Sequence, residues 1–140
     1  MCIDGVAVVG AVAVPGLGLV FDTGAPTAIG PIAGPLKIVV SRTRPPEEAT
    51  RAASALGAEL VGMGSAGAKT MAVIRGEAHA YVHANGQYEW DTAAPAAACG
   101  LHVSRLDGSP LVYNRPDPYL PDLIVCRPEI AQDILKAVRA

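Results

Sequence analysis

Between Asp22 and Pro35 the chain carries Gly24, Pro26, Gly30, Pro31, Gly34 and Pro35. No helix or strand interior survives breakers at that density, so the stretch reads as an irregular linker and divides the chain. Residues 1–35 then form strands and a linker, and residues 36–140 form an α/β domain. The two sides differ in pattern. Before the linker, Val6 to Val14 is a short run rich in Val and Ala, and it predicts a strand. Pro15-Gly16 turns the chain, and Leu17 to Phe21 predicts a second strand and a hairpin. These strands are apolar on both faces, so they require cover on both sides.

From Leu36 onward, strands and helices alternate. Lys37 to Ser41 predicts a buried strand. Pro46-Glu47-Glu48 opens a helix that runs to Leu56, with acids in its first turn and Gly57 as its stop. Ala58 to Met63 predicts a strand, and Ser65 to Arg75 a helix with Ala68, Met71, Ala72 and Ile74 toward the core. His79 to Ala84 predicts a strand, and Asn85-Gly86 a turn. A small-residue helix covers Ala93 to Cys99. Strands follow at Leu101 to Arg105 and Asp122 to Cys126, and a last helix starts at Pro128. Such alternation implies a layered α/β domain with a largely buried sheet.

Composition narrows the partners. Hydrophobic residues make up 51% of the chain, enough for a core. A net charge of −2 argues against a nucleic-acid or anionic-membrane surface. The N-terminal apolar run lacks a basic flank, contains Asp4 and is broken by Pro15-Gly16, unlike a signal peptide or membrane helix. Cys2, Cys99 and Cys126 have neither metal spacing nor a disulfide framework, which fits a reducing cytoplasm. Cys99 and Cys126 lie in apolar segments and read as inert core thiols.

Three stretches carry chemistry. Gly62-Met63-Gly64-Ser65-Ala66-Gly67 matches the dinucleotide pattern G-x-G-x-x-G letter for letter, after a strand and before a helix. That pattern calls for an acid about 20 residues on, and the next strand ends instead in Tyr81-Val82-His83-Ala84. What remains is an anion-binding helix start, to which Ser65 adds a hydroxyl and Lys69 a positive charge. Its bland counterpart is a tight junction with a solvated lysine. Ser41-Arg42-Thr43-Arg44 ends a strand that precedes a helix, where α/β folds place ligands. Arg42 and Arg44 can each bond a phosphate, or they are solvated arginines. In Trp90-Asp91-Thr92-Ala93-Ala94-Pro95, Thr92 occupies the N-cap position. Asp91 then lies beside the positive end of the helix, which favours its ionised form and suits a hard cation such as Mg²⁺. The spacing is equally met by a carboxylate that only caps. Glu89 reads as exposed, and Tyr113 and Asn114 as structural. His79, His83 and His102 lack metal-ligand spacing.

Glu89-Trp90-Asp91-Thr92-Ala93-Ala94-Pro95 resembles the C-terminal signature of the inositol monophosphatase superfamily of Mg²⁺-dependent, lithium-sensitive phosphatases. Leu101 to Asn114 resembles the segment that follows it. Together with Gly64-Ser65-Ala66-Gly67-Ala68-Lys69, the resemblance points to the 3'(2'),5'-bisphosphate nucleotidases of sulfate assimilation. It covers nearly the whole chain but only the C-terminal half of such an enzyme. It implies the layered α/β/α C-terminal domain of the sugar-phosphatase fold, preceded by strands that close an N-terminal α+β domain. It implies hydrolysis of 3'-phosphoadenosine 5'-phosphate, with inositol phosphate or fructose bisphosphate as alternatives. A dinucleotide-binding module and a non-catalytic binding domain are the rival readings.

The resemblance also assigns residues. Asp91 would be the catalytic metal ligand, and Gly64, Ser65, Lys69, Arg42 and His83 would face the substrate. The family completes its Mg²⁺ sites with a Glu-Glu pair and an Asp-Pro-x-Asp-Gly-Thr motif upstream of the Trp-Asp pair, and neither occurs here. Glu47-Glu48 begins a helix in the wrong place, and Asp117-Pro118 lies downstream. The expectation is therefore a C-terminal half whose partner half acts in cis or trans. Alone it would be weakly active or inactive, and prone to pair with itself, as a homodimer, through the Val6–Val14 strand.

Overall fold

The structure is a computed structural model that describes residues 1–98 and 100–140. The strands are β1 (Cys2–Ile3), β2 (Val6–Ala7), β3 (Ala11–Val14), β4 (Leu19–Asp22), β5 (Lys37–Ser41), β6 (Glu59–Met63), β7 (Ala80–His83), β8 (Gln87–Tyr88), β9 (His102–Ser104), β10 (Tyr119–Leu120) and β11 (Leu123–Cys126). The helices are α1 (Glu47–Leu56), α2 (Ala66–Ile74), α3 (Ala93–Ala97) and α4 (Ala131–Arg139). A five-stranded sheet in the order β6-β5-β7-β11-β9 forms the centre. β5 runs parallel to β6 and β7, because α1 and α2 carry the chain back across the sheet each time. β11 enters antiparallel to both β7 and β9, so the sheet is mixed.

Strand alternation sorts the core into two layers. Ile38, Val40, Ala80, Val82, Ile124 and Cys126 face α1 and α4. Val39, Tyr81, Leu123 and Val125 face the other way, toward Val73 of α2 and the Leu111–Tyr113 segment. Ala93 and Ala96 of α3 pack on that second layer, which completes the expected α/β/α arrangement. The helix ends follow local rules. Glu47 and Glu48 fill the first turn of α1, and Gly57 closes it in the left-handed conformation at φ 62°. A 3₁₀ turn at Pro128–Ile130 leads into α4.

α2 departs from the one-sided helix the sequence predicts. Residues 69–74 are all buried, while Ala68 is only partly so. The β3–β4 hairpin lies over the far side of the helix, where Phe21 packs with Met71 and Ile74. A helix covered on two sides is apolar most of the way round. The opposite face of the hairpin is open: Ala13 pairs with Val20, and Val20 is 64% exposed.

The single strand expected over Val6 to Val14 is split at Gly10. The Gly10 backbone lies so close to Ala94 that a β-carbon would overlap the Ala94 main chain. Thr23 Oγ1 accepts from Gly10 N at 2.9 Å and donates to Ala97 O at 3.0 Å, which fastens the bend to α3. The first half of the split strand forms a small hairpin with β1 around Asp4 and Gly5, both at positive φ. α3 is also shorter than expected: the described helix stops at Ala97, and Cys99 lies outside the described residues. Thr92 holds the N-cap position without capping. Its hydroxyl donates instead to Glu89 O at 3.4 Å, because the preceding 3₁₀ turn brings that carbonyl nearest.

Candidate active site

Because β5, β6 and β7 are parallel, their carboxyl ends share one edge of the sheet. Ser41 is level with Met63 there, and His83 ends the strand on the other side of β5. Ser41 Oγ accepts from Arg44 N at 3.3 Å, which folds Ser41–Arg44 into a tight turn. Arg42 and Arg44 are exposed on it. Gly62 passes beneath Arg42; a β-carbon there would sit 3.4 Å from the Arg42 Cα. Asn85 Nδ2 donates to Arg44 O at 2.9 Å and ties this turn to the one after β7.

Gly64 and Ser65 are exposed where β6 passes into α2. Ser65 takes φ 63°, a conformation that favours glycine, and its Oγ accepts from Ala68 N at 3.3 Å. The hydroxyl proton is left to donate outward. Lys69 is not the solvated lysine of the bland reading. It is 5% exposed, with Nζ 4.9 Å from the Tyr81 ring centroid and 3.4 Å from Met63 O. Burial lowers the pKa of its amine.

Tyr81 joins the two halves of this edge. Its hydroxyl is held well above the usual phenol range, by burial first and then by the negative charge of Asp91. Asp91 is exposed at the end of the 3₁₀ turn Glu89–Asp91, and its Oδ2 accepts from Tyr88 N at 3.1 Å. Lys69, Tyr81 and Asp91 are thus linked by contact and by charge. Sequence reading had no signal for Tyr81 beyond its place in a strand.

His83 turns inward. Nε2 lies 2.9 Å from Gly86 O, so that nitrogen carries the proton, and buried Nδ1 has no hydrogen-bond partner among the described residues. His79 Nδ1 accepts from Lys37 N at 2.9 Å, and His102 Nε2 lies 2.9 Å from Ser104 Oγ. Glu89 corrects the sequence reading: it is 8% exposed, not open to solvent. Its carboxylate accepts from Asn114 N at 2.7 Å and from Arg115 Nε at 3.0 Å. Tyr113 is buried and its hydroxyl lies 3.3 Å from Thr92 Oγ1, consistent with a structural part. Burial pushes the Cys126 thiol up to about 12, which removes it as a nucleophile.

Among the described residues no group of three or more His, Cys, Asp and Glu side chains is placed to hold a metal ion. Mg²⁺ takes near-octahedral oxygen coordination and usually keeps several waters. Asp91 offers one carboxylate, with one oxygen already accepting from Tyr88. The described residues do not by themselves fit a Mg²⁺ ion.

A sheet with helices on both faces, with a serine-capped helix start and two exposed arginines at the carboxyl ends of its parallel strands, defines a layered α/β domain. The chain belongs to the inositol monophosphatase family, whose profile matches residues 34–140. The family is generally metal-dependent. A Mycobacterium bovis protein named 3'-phosphoadenosine 5'-phosphate phosphatase is 56% identical over 110 residues, covering 76% of this chain and 41% of that one. The chain therefore spans about two fifths of the length of the curated relatives it matches. The crystal structure of CysQ from Bacteroides thetaiotaomicron, a bacterial member of the same family, is 31% identical with a TM-score of 0.58. That match covers 71% of this chain and 40% of CysQ. Inositol monophosphatase from Anabaena, at 18% identity and a TM-score of 0.73, covers 98% of this chain and 60% of its own, and shares the fold.

The dinucleotide reading does not survive. In that fold the fingerprint strand is central, whereas β6, which carries Gly62 to Gly67 at its end, is an edge strand paired only with β5. Ser65, not a glycine, takes the positive φ of the turn.

Proposed function

We propose that this chain is the carboxyl-terminal, substrate-facing part of a Mg²⁺-dependent cytoplasmic phosphomonoesterase. Its substrate is 3'-phosphoadenosine 5'-phosphate, cleaved to adenosine 5'-phosphate and inorganic phosphate. Residues 36–140 form the catalytic-side domain, and residues 1–35 belong with an amino-terminal domain that supplies the remaining acidic metal ligands, in cis or in trans. Identity of 56% to a relative of that name carries the reading.

The chain's own residues have defined tasks in it. Ser65 offers a hydroxyl proton, and the amides at the start of α2 offer further donors to phosphate. Arg42 reaches the same edge from β5 and bonds phosphate with charge assistance. Lys69 lends positive charge from beneath the helix start, held by Tyr81. His83 shapes the floor through its bond to Gly86. Asp91 contributes one oxygen ligand to a metal site completed from outside the described residues.

The test is phosphate release from 3'-phosphoadenosine 5'-phosphate, inositol 1-phosphate and fructose 1,6-bisphosphate. Each is measured with and without Mg²⁺, and with and without a polypeptide carrying the family's upstream acids. The expected result is release from the nucleotide that requires Mg²⁺, the added acids and Asp91, and that disappears in Asp91→Asn. Equal release by Asp91→Asn, or none in the completed enzyme, overturns the reading.

A further inference from the structure

The chain has one Phe, one Trp and four Tyr. Phe21, Tyr81 and Tyr113 are core residues, while Tyr88, Trp90 and Tyr119 are exposed and touch one another. Tyr88 and Trp90 stack face to face, with ring centroids 4.7 Å apart and planes within 7°. Tyr119 meets Tyr88 edge-on at 6.2 Å, across the β8–β10 pairing that sets the two level. Half of the aromatic side chains are therefore outside the core, in one patch.

The patch is anchored. Glu89, between Tyr88 and Trp90, is buried and held by Asn114 and Arg115. Gly86 leaves room for the Tyr119 ring, which a β-carbon would overlap. The Tyr88 amide donates to the Asp91 carboxylate at 3.1 Å, which ties the backbone of the aromatic pair to that carboxylate. Trp90, 66% exposed, also lines a hollow of about 210 Å³ with Ala93 and Asn114.

We infer that the Tyr88–Trp90 pair is a stacking platform for the purine base of the nucleotide substrate, and so a specificity determinant. This rests on the proposed nucleotide phosphatase reading. A flat, rigid aromatic surface beside the phosphate-handling edge suits a ligand that joins a phosphate to a flat ring. Stacking costs little ordering here, because the pair is already held in place. A base-free phosphate ester gains nothing from it.

Trp90 is the chain's one tryptophan, so its emission reports this platform alone. The intact chain is titrated with 3'-phosphoadenosine 5'-phosphate, adenosine 5'-phosphate and ribose 5-phosphate, with binding followed in parallel by equilibrium dialysis. Both adenine nucleotides are expected to quench Trp90, and ribose 5-phosphate to bind without quenching. Trp90→Ala is expected to weaken nucleotide binding roughly 5- to 150-fold, the range of a base–aromatic stack. It leaves ribose 5-phosphate binding unchanged, and Trp90→Phe restores most of the loss. Because Trp90 is exposed, these replacements leave the core intact, which a thermal melt verifies. Nucleotide binding with Trp90 emission unmoved, or unchanged by Trp90→Ala, overturns the platform and leaves the phosphatase reading standing. Failure of all three compounds to bind at millimolar concentration also overturns the platform, while the phosphatase reading is judged by its own test with Mg²⁺ and the added acids.

Discussion

The ammonium of Lys69 lies 4.9 Å from the centre of the Tyr81 ring, inside the protein. A cation on the second turn of a helix usually extends into water. Here Lys69 faces the sheet, one turn before Val73, and its amine meets the Met63 carbonyl and the Tyr81 ring. That arrangement costs stability and places charge beneath the exposed helix start. Replacing Lys69 with Met should therefore hold or raise the melting temperature, by up to about 5 °C, while weakening phosphate binding. The pH dependence has a definite sign. The folded-state pKa of Lys69 is lowered, so over the window from that value up to the unfolded amine's ordinary one the unfolded chain binds more protons. Stability contributed by this group rises with pH across that window. Chemical denaturation of wild type and Lys69→Met at stepped alkaline pH should show the rise only in wild type.

Asp122 behaves in the opposite sense. Burial works to raise its pKa, but two bonds from Arg105, each 2.7 Å, and one from Leu106 N at 2.9 Å lower it overall. Its stabilisation is fully present above the ordinary Asp range and is lost as pH falls through the folded-state value. Asp122→Asn should cost about 1–3 kcal/mol at neutral pH. Urea titrations below pH 4 should find wild type and variant converging.

Gly10 faces the Ala94 main chain with no room for a side chain. Gly10→Ala should destabilise by about 1–3 kcal/mol through overpacking. Hydrogen exchange should show the loss concentrated in the β3–β4 hairpin and α3, because Thr23 ties these together at the same point.

Glu89 is a buried carboxylate paired with Arg115 and with the Asn114 amide. Glu89→Ala leaves the Asn114 and Arg115 donors without their acceptor and should cost about 2–3 kcal/mol by thermal or urea unfolding. Glu89→Gln keeps an acceptor and should cost less. A Glu89 that merely decorated the surface would give values near zero for both.

Much of the α/β domain was legible because its signals are local. Pro46, Glu47-Glu48 and Gly57 bound α1 where the sequence says they should. The strand forms over Lys37–Ser41, the residues its pattern predicts. The Trp90-Asp91 signature and the Gly64–Lys69 junction carried the family before any fold was known. Asp4-Gly5 turns a hairpin whose strands are two residues each, too short for periodicity to mark.

The sequence by itself determined the alternation of strands and helices, the helix ends and the family, since periodicity, caps and motifs act within a few residues of themselves. Tertiary structure alone decided that β11 enters the sheet antiparallel, that the strand breaks at Gly10, and that Glu89 is buried. It alone decided that Lys69 lies over Tyr81 and that three aromatic rings gather beside Asp91. Each of these depends on which distant segment packs against the residue, and packing across 12 to 74 positions of chain, as between Lys69 and Tyr81 or Thr23 and Ala97, leaves no local trace in either partner.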